Sequence, residues 1–460
     1  MKLLTRPFLL MTMLLLGLVA CKPEVTNPDP EPGPDPNPNS PSTWQVIQED
    51  ILDQQCTSCH VEGNSFALQS DLILTADVAY SQLINKDPKN EAAKADGLVR
   101  LGTKGLESLY QSFLWEKINA PDIEHFQDDH PGYGEIMPLG GQFLTNGEIN
   151  FIKKWILEGA PEEGVVADVS LLDDTSRFVP PPSEFTALPM PASGYQIHLG
   201  PFDVDPNYER EFYYYYPLNN PEPIYVNKLE IDMRRGSHHF LLYEFDEGAA
   251  TPTPNTYRDL RDQNGVYQFP TLLSIQDQVY IYGTQWRRNT YEFPDGVALR
   301  MPANMSLDLN PHYVNRTNEK KIGEVYTNLH TIPASEVQHV ADNLFLNNGD
   351  IELPPQKTTT LNRTWTFNEA RNIFLLTSHA HERMTEFRIF IHGGSRGGEL
   401  IFYTNDWEHP PLLEFDPPIQ LKAGEGLRAQ ATYHNDTNET LRFGLLSTDE
   451  MMIIFGAYYR

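Results

Sequence analysis

The chain has 460 residues and an acidic composition, with 63 Asp and Glu against 34 Lys and Arg and a formal net charge of −29. A surface this negative repels phosphate backbones, which excludes nucleic acid as a partner. The length allows several domains. Because the chain has only three cysteines, we expect packing and bound metal, rather than disulfides, to stabilise it.

The N-terminus has the pattern of an export signal. Residues 1–20 place two cations before an apolar run too short to span a bilayer, which predicts a signal peptide. The run ends Leu-Val-Ala-Cys, which resembles a bacterial lipobox and implies cleavage before Cys21 with a lipid on its sulfur. Residues 21–43 alternate proline with acidic or amide residues and predict an extended spacer. We therefore expect an exported protein, lipid-anchored to the outer membrane on its periplasmic or surface face.

A haem-attachment motif follows the spacer. The spacing Cys56-Thr57-Ser58-Cys59-His60 lets two thiols form thioethers to one porphyrin, with His60 as proximal iron ligand. The alternative is a zinc or redox Cys-x-x-Cys pair beside a chance histidine. With Cys21 lipidated and Cys56 and Cys59 on haem, no cysteine is left for a disulfide.

Helical periodicity surrounds this motif. Gln45–Gln54 and Leu106–Ile118 carry apolar residues at helical spacing, and Asn146–Glu158 forms an amphipathic helix with Thr145 as N-cap and Gly159 as its end. Residues 44–165 resemble the small cytochrome c domains of large bacterial exported proteins. The resemblance implies an all-α domain that carries a covalent haem c.

A loop rich in proline and glycine supplies the sixth iron ligand that we predict. Met137 lies in this loop, and a soft thioether stabilises ferrous iron and raises its potential. His125 and His130 are the rival ligands, and the default for each is a surface histidine. Haem ligated on both sides has no open position, so it transfers electrons and catalysis lies elsewhere.

After a linker at residues 166–190, the pattern becomes that of antiparallel β-structure. Short alternating runs occur at Tyr225–Met233, His239–Phe245, Gln278–Tyr282, Phe387–His392, Leu427–Tyr433 and Met452–Tyr459. We assign residues 191–350 and 351–460 to two β-domains. The predicted fold class is therefore multidomain, with a small all-α cytochrome c domain followed by two all-β antiparallel sandwich or jelly-roll domains.

Three histidine motifs lie on these strands. His379 and His381 alternate, so both imidazoles face the same side of a strand. His238 and His239 are adjacent, and they need a bulge or ligation through Nδ1 to share a metal. His312 stands alone in the third motif. Five imidazoles without a cysteine suit copper, zinc or non-haem iron. The remaining histidines have no motif, and their default is a surface or hydrogen-bonded role.

The order of these motifs, followed by Glu-Met and a final Tyr-Tyr, resembles the copper type II, ascorbate-dependent monooxygenases over residues 190–460. The resemblance implies an electron-storing copper and an oxygen-activating copper. The implied ligands of the first are His238, His239 and His312, and those of the second are His379, His381 and Met451. Met452 stays open as the sulfur ligand.

Three positions depart from the family's pattern. Thr377 stands where the peptidylglycine enzyme has a carboxylate-binding arginine, and Ile453 and Phe455 replace an asparagine and a tyrosine. These departures favour an apolar or neutral small substrate over a peptide carboxylate. We predict an exported monooxygenase that hydroxylates a C–H bond with dioxygen, using electrons from the fused haem and a periplasmic or surface electron carrier. The alternative is a non-catalytic surface lipoprotein that binds copper or transfers electrons.

Overall fold

The computed structural model describes residues 40–182, 184–245, 248–445 and 448–460. The predicted signal peptide, Cys21 and all but the end of the 21–43 spacer lie outside these residues. Residues 42–460 form one compact unit. Among the residues that the structure describes, no helix is both long enough and apolar enough to cross a bilayer.

The described helices are short and lie mainly between residues 43 and 157. They are α1 (Thr43–Val46), α2 (Asp53–Gln55), α3 (Ser65–Ser70), α4 (Ala79–Leu83), α5 (Glu91–Ala95), α6 (Leu106–Leu109), α7 (Phe113–Ile118), α8 (Ile123–Asp129), α9 (Asn146–Leu157) and α10 (Phe269–Ser274). A π-helical stretch, Ile47–Leu52, connects α1 to α2. The predicted helix Gln45–Gln54 is therefore helical throughout.

Helix α9 shows how local sequence sets the bounds of an element. Thr145 Oγ1 accepts from the Glu148 N–H at 3.0 Å, and Glu148 Oε2 accepts from the Thr145 N–H at 2.7 Å. This capping box satisfies two donors that the first turn leaves free. Gly159, with φ of 86°, ends the helix. Trp155 lies on the buried face and is inaccessible to solvent.

Strands fill the chain from residue 194 onward. They are β1 (Gly194–Val204), β2 (Tyr208–Pro217), β3 (Ile224–Met233), β4 (Ser237–Phe245), β5 (Tyr257–Asp259), β6 (Gln278–Thr284), β7 (Arg288–Glu292), β8 (Val297–Met301), β9 (Ser306–Asn315), β10 (Lys321–Thr331), β11 (His339–Asn347), β12 (Glu352–Leu353), β13 (Lys357–Thr366), β14 (Arg371–His379), β15 (Met384–His392), β16 (Leu400–Thr404), β17 (Leu413–Leu421), β18 (Gly426–Asn435), β19 (Leu441–Arg442) and β20 (Ile453–Tyr459). Each of the six predicted strands corresponds to one of these.

The strands form four sheets. The largest has nine strands in the order β1-β10-β3-β8-β11-β20-β14-β17, with β7 also on β3. A five-stranded sheet has the order β5-β2-β9-β4-β6, and a four-stranded sheet the order β13-β18-β15-β16. Strands β12 and β19 pair separately. Most neighbours are antiparallel, but β8 and β11 are parallel.

The predicted multidomain fold class, an all-α cytochrome c domain followed by two all-β sandwich or jelly-roll domains, is wrong. The helical segment is part of the same compact unit as the strands. Its short helices alternate with loops and isolated β-bridges rather than forming a distinct all-α domain. In addition, β11 pairs with β20, which joins strands from both expected β-domains in one sheet. The finer domain boundaries stay predictions.

Gly456 in β20 lies where a side chain would disturb the largest sheet. A Cβ built at this position would be 2.2 Å from the Leu375 carbonyl oxygen of β14. We expect Gly456→Ala to lower the free energy of unfolding by about 1–3 kcal/mol, because backbone must move to admit the methyl group. Urea denaturation checks this. Gly349→Ala is the matched control, because no heavy atom lies within 4 Å of its Cβ; equal losses for both variants would contradict the prediction.

Candidate metal centres

The first predicted ligand set comes together in the five-stranded sheet. One ligand atom from each of His238, His239 and His312 lies within 4.8 Å of the others, and all three residues are buried. The ring centroids are 4.8–5.4 Å apart. Three imidazoles this close can bind a single ion after a small contraction, since metal–nitrogen bonds are about 2.0–2.1 Å.

Strand pairing explains how adjacent histidines reach one point. His239 of β4 lies directly opposite His312 of β9. The register of this pair shifts between Ser237 and His239, so a bulge interrupts the alternation of side chains at His238. Of the two arrangements that the sequence allows for a shared ion, a bulge or ligation through Nδ1, the structure contains the bulge.

Neighbouring polar groups orient two of these rings. His312 Nε2 lies 2.8 Å from Glu209 Oε1, and His239 Nε2 lies 3.1 Å from Asn310 Oδ1. The other ring nitrogen of His312, Nδ1, is buried and has no hydrogen-bond partner among the described residues. A buried nitrogen without a partner is costly unless a ligand satisfies it. The Nδ1 atoms of these rings are therefore the ones available to a metal.

The second predicted set begins at the end of β14. The rings of His379 and His381 lie 5.1 Å apart and nearly perpendicular, at 87°. His379 Nδ1 is 3.0 Å from Gln285 Oε1, and His381 Nδ1 is 3.2 Å from the Asp449 carbonyl oxygen. Both partners are acceptors, so each Nδ1 carries the proton. The Nε2 atoms are left with the lone pairs that a metal needs.

The two candidate methionines lie in different surroundings. Met452 is fully buried in the apolar core of the C-terminal strands, and its Sδ accepts from Asn348 Nδ2 at 3.3 Å. Met451 directly follows Glu450, whose carboxylate accepts the His381 N–H at 3.2 Å. This contact holds the chain before Met451 beside the histidine pair. The choice between Met451 and Met452 as the sulfur ligand stays a prediction.

Electrostatics keep most of these imidazoles neutral. Burial, with the nearby imidazoles adding to it, holds the pKa of His238, His239 and His379 well below the usual range. Burial also lowers the pKa of His381, to about 4. At neutral pH these rings have unprotonated nitrogens, which is the form that binds metals.

Glu209 supplies a fixed negative charge at the first site. Burial opposes its ionisation, but the hydrogen bond and charge of His312, together with Arg261, hold the pKa of Glu209 at about 2. Arg261 Nη2 lies 3.1 Å from Glu209 Oε1. The sequence analysis missed Glu209, Asn310 and Gln285. Glu209 and Gln285 lie far from their histidines in sequence and belong to no motif. Asn310 lies two residues before His312, but the sequence gives no sign that it contacts His239.

One cavity borders both histidine groups. It has a volume of about 50 Å³, and His239 and His379 both line it. The lining also includes Thr377 and Phe455, two of the positions that depart from the family's pattern. No lysine or arginine is among its lining residues in the described chain. The cavity therefore offers no cation to bind a carboxylate.

The residues of the predicted haem motif are partly accessible. Cys56 and Cys59 are free and half-buried. His60 Nδ1 lies 3.2 Å from the Leu72 carbonyl oxygen, which places the proton on Nδ1 and leaves the lone pair of Nε2 free for a metal. Burial raises the pKa of the Cys56 thiol to about 12, so this thiol is protonated at neutral pH. Attachment of a haem stays a prediction.

Several apolar side chains that follow the predicted haem ligands in sequence are exposed. Val61, Phe66 and Leu68, just after the motif, are 38%, 42% and 68% exposed, and Leu139, after Met137, is 49% exposed. A covalently attached porphyrin would cover such surface. A cavity of about 20 Å³ beside Cys56 is too small for a porphyrin, so the group would lie on the exposed side.

Met137, the predicted sixth ligand, is held by Lys117. The Met137 N–H donates to the Lys117 carbonyl oxygen at 2.6 Å. Lys117 Nζ donates to the carbonyl oxygens of Tyr133 and Glu135 in the same loop. These contacts fix the loop, while the ligation of iron by Met137 stays a prediction.

The rival ligands have other partners. His130 stacks on Tyr133, with ring centroids 4.4 Å apart. His125 contacts three aspartates: Nδ1 lies 3.2 Å from Asp122, and Nε2 lies 2.8 Å from Asp406 and 3.4 Å from Asp129. With a side chain only 10% exposed, His125 is not the surface histidine that the sequence suggests.

No family model and no curated protein matches this chain. Among solved structures it is similar to the crystal structure of the STIV MCP, with a TM-score of 0.27, 9% identity and coverage of 57% of this chain and 96% of that one. The tandem CBM22 domains of Paenibacillus barcinonensis Xyn10C give a TM-score of 0.15 and 10% identity, and coverage is 52% of this chain and 79% of that one. These likenesses are too weak to carry an argument about fold or function.

Proposed function

We propose that this protein is an exported, copper-dependent monooxygenase that hydroxylates a C–H bond of a small apolar or neutral substrate. One observation carries the proposal. Two groups of histidines border a common cavity: the buried His238, His239 and His312 form one, and the half-buried His379 with the buried His381 forms the other. Buried neutral imidazoles are ligands suited to copper.

The two groups of histidines would have different roles, one in storing an electron and the other in activating dioxygen. His238, His239 and His312 would hold one copper ion through three nitrogens, as an electron store. His379, His381 and Met451 would hold the other, and the thioether would favour the reduced ion that binds dioxygen. Each copper would supply one electron, so that dioxygen, the substrate C–H bond, two electrons and two protons would give an alcohol and water.

The N-terminal segment would supply the electrons. Cys56 and Cys59 would attach a haem c, with His60 and Met137 as its axial ligands. A haem with these ligands exchanges single electrons without binding substrate. A periplasmic or surface electron carrier would reduce it, and a lipid on Cys21 would be the chain's one attachment to the membrane.

Substrate choice would follow from the lining of the cavity. Because no cation lines it, a substrate carboxylate would lose its hydration without gaining a partner. Phe455 and Leu412 supply apolar contact instead. Neutral or apolar molecules are therefore the substrates to test first.

A second candidate function is a non-catalytic surface lipoprotein that binds copper or transfers electrons. The volume of the cavity favours it: about 50 Å³ is far below the roughly 300–1,000 Å³ of typical small-molecule sites. Substrate would need to enlarge the cavity to bind.

The deciding experiment uses the full chain matured with haem and loaded with copper. Reduced protein is given ¹⁸O₂ and a panel of apolar and neutral compounds, and mass spectrometry follows label in the products. We expect an alcohol with one labelled oxygen, absent from the copper-free haem protein. Copper binding without labelled product from any compound would overturn the proposal and leave the second candidate.

A further inference from the structure

A second cluster of metal-binding side chains lies away from the predicted copper ligands. His125, Asp129, Asp406 and His409 each bring one ligand atom within 4.8 Å of the others. The first two lie on α8 and the other two in the loop between β16 and β17. We propose that these four residues form a zinc site that fastens the N-terminal helical segment to the β-structure.

The helix presents its two ligands together. His125 and Asp129 are four residues apart, so they share one face of α8. His125 Nε2 lies 3.4 Å from Asp129 Oδ2 and 2.8 Å from Asp406 Oδ2. Its other nitrogen, Nδ1, lies 3.2 Å from Asp122 Oδ2. A carboxylate on the far side of a histidine ring is the usual outer partner of a zinc ligand, because it fixes the tautomer and orientation.

The loop positions the other two ligands. Asp406 Oδ1 accepts the backbone N–H groups of Glu408 and His409, at 2.8 and 2.9 Å. These bonds leave Asp406 Oδ2 directed at His125. The Trp286 ring lies 5.2 Å from the rings of both His125 and His409, and it shields the cluster from water on that side.

One carboxylate oxygen of the cluster lies beside both histidines. Asp129 Oδ2 is buried, 2.5 Å from His409 Nδ1 and 3.4 Å from His125 Nε2. Without a metal, a proton must lie between the paired nitrogen and oxygen. A divalent cation bound by all four side chains would take the place of that proton, after a small outward shift of the ligand atoms.

The kind and charge of the four ligands favour zinc. Two imidazole nitrogens and two carboxylate oxygens make a four-ligand set that zinc accepts in tetrahedral geometry. Two carboxylates balance the charge of a divalent cation, which would displace the proton from each imidazole on binding. The proposal is independent of the proposed function, because none of its ligands belongs to the predicted copper or haem sites.

The test uses the full chain with alanine at Cys56, Cys59, His238, His239, His379 and His381, so that these positions cannot bind zinc. After metal removal, titration calorimetry with zinc should show one tight site. In this background His125→Ala with His409→Ala should weaken zinc binding roughly 100-fold or more, since loss of an outer partner alone costs 10–100-fold. His130→Ala is the control, because His130 lies beside His125, with ring centroids 5.1 Å apart, but outside the cluster.

Two further measurements distinguish loss of a zinc ligand from misfolding of the alanine variants. Asp406→Asn keeps the size and Oδ1 of the side chain but should also weaken zinc binding, and X-ray absorption should report two imidazoles among the zinc ligands. If calorimetry shows no tight site, or if the His125 and His409 changes leave binding intact, the proposal fails. The cluster is then an ion-paired hydrogen-bond network only.

Discussion

Alanine at both His379 and His381 is expected to lower the copper content from about two ions per chain to about one and to abolish substrate hydroxylation. Both histidines direct Nε2 away from their hydrogen-bond partners, Gln285 and Asp449. Removing them leaves Met451 as the only predicted ligand of that ion, and a lone thioether binds copper weakly. Elemental analysis measures the copper, and ¹⁸O₂ labelling measures hydroxylation.

His392→Ala is the control for this experiment. His392 is exposed at the end of β15 and belongs to no predicted site. It should keep both copper ions and full activity. A double variant that still holds about two copper ions would remove His379 and His381 from the copper site.

Trp155→Ala is expected to cost about 3–5 kcal/mol of stability, the usual range for a large aromatic residue deleted from a core. The Trp155 ring stacks on Trp44, with centroids 5.3 Å apart, and its Nε1 donates to the Pro161 carbonyl oxygen at 2.8 Å. The change loses both contacts and leaves a cavity beneath α9. Urea denaturation followed by far-UV circular dichroism measures the loss.

Lys154→Ala on the same helix is the comparison for this variant. The Lys154 side chain is 49% exposed and pairs with Glu158 at 2.6 Å. An exposed pair of this kind contributes about 0–1 kcal/mol, so this variant should unfold close to the unaltered protein. Similar losses for both would show that Trp155 does not hold the helical core together.

The sequence was sufficient to predict those elements that neighbouring residues determine. The helix at Asn146–Leu157 follows from the capping side chains and a terminal glycine, and strands such as Gly426–Asn435 follow from alternation. The bulge between Ser237 and His239 is one of the two arrangements that the adjacent histidines led us to expect, the other being ligation through Nδ1. Each inference needs only a few neighbouring residues.

The pairing of these elements in the fold could not be predicted from the sequence. The pairing of β11 with β20 brings together residues such as Asn347 and Ile453, and nothing in either strand specifies its partner. Alternation shows which face of a strand is buried, but not which strand lies beside it. The sequence therefore did not predict that β11 and β20 lie side by side in one sheet.

The candidate site shows the same limit. Histidines in motifs could be predicted as ligands, but the residues that orient them could not. The cluster containing His125 and Asp406 is a further case, since 281 positions separate these two residues. Neither has a motif spacing, and only the fold brings them together.

The pairing of β11 with β20 has a consequence for engineering. Cutting the gene near residue 350 would leave β11 and β20 on separate polypeptides, each with a row of unsatisfied backbone groups along one edge. Each fragment would then be prone to self-association. Separately expressed halves are therefore poor reagents, and probes of single electron-transfer steps are better built by point substitution in the intact polypeptide.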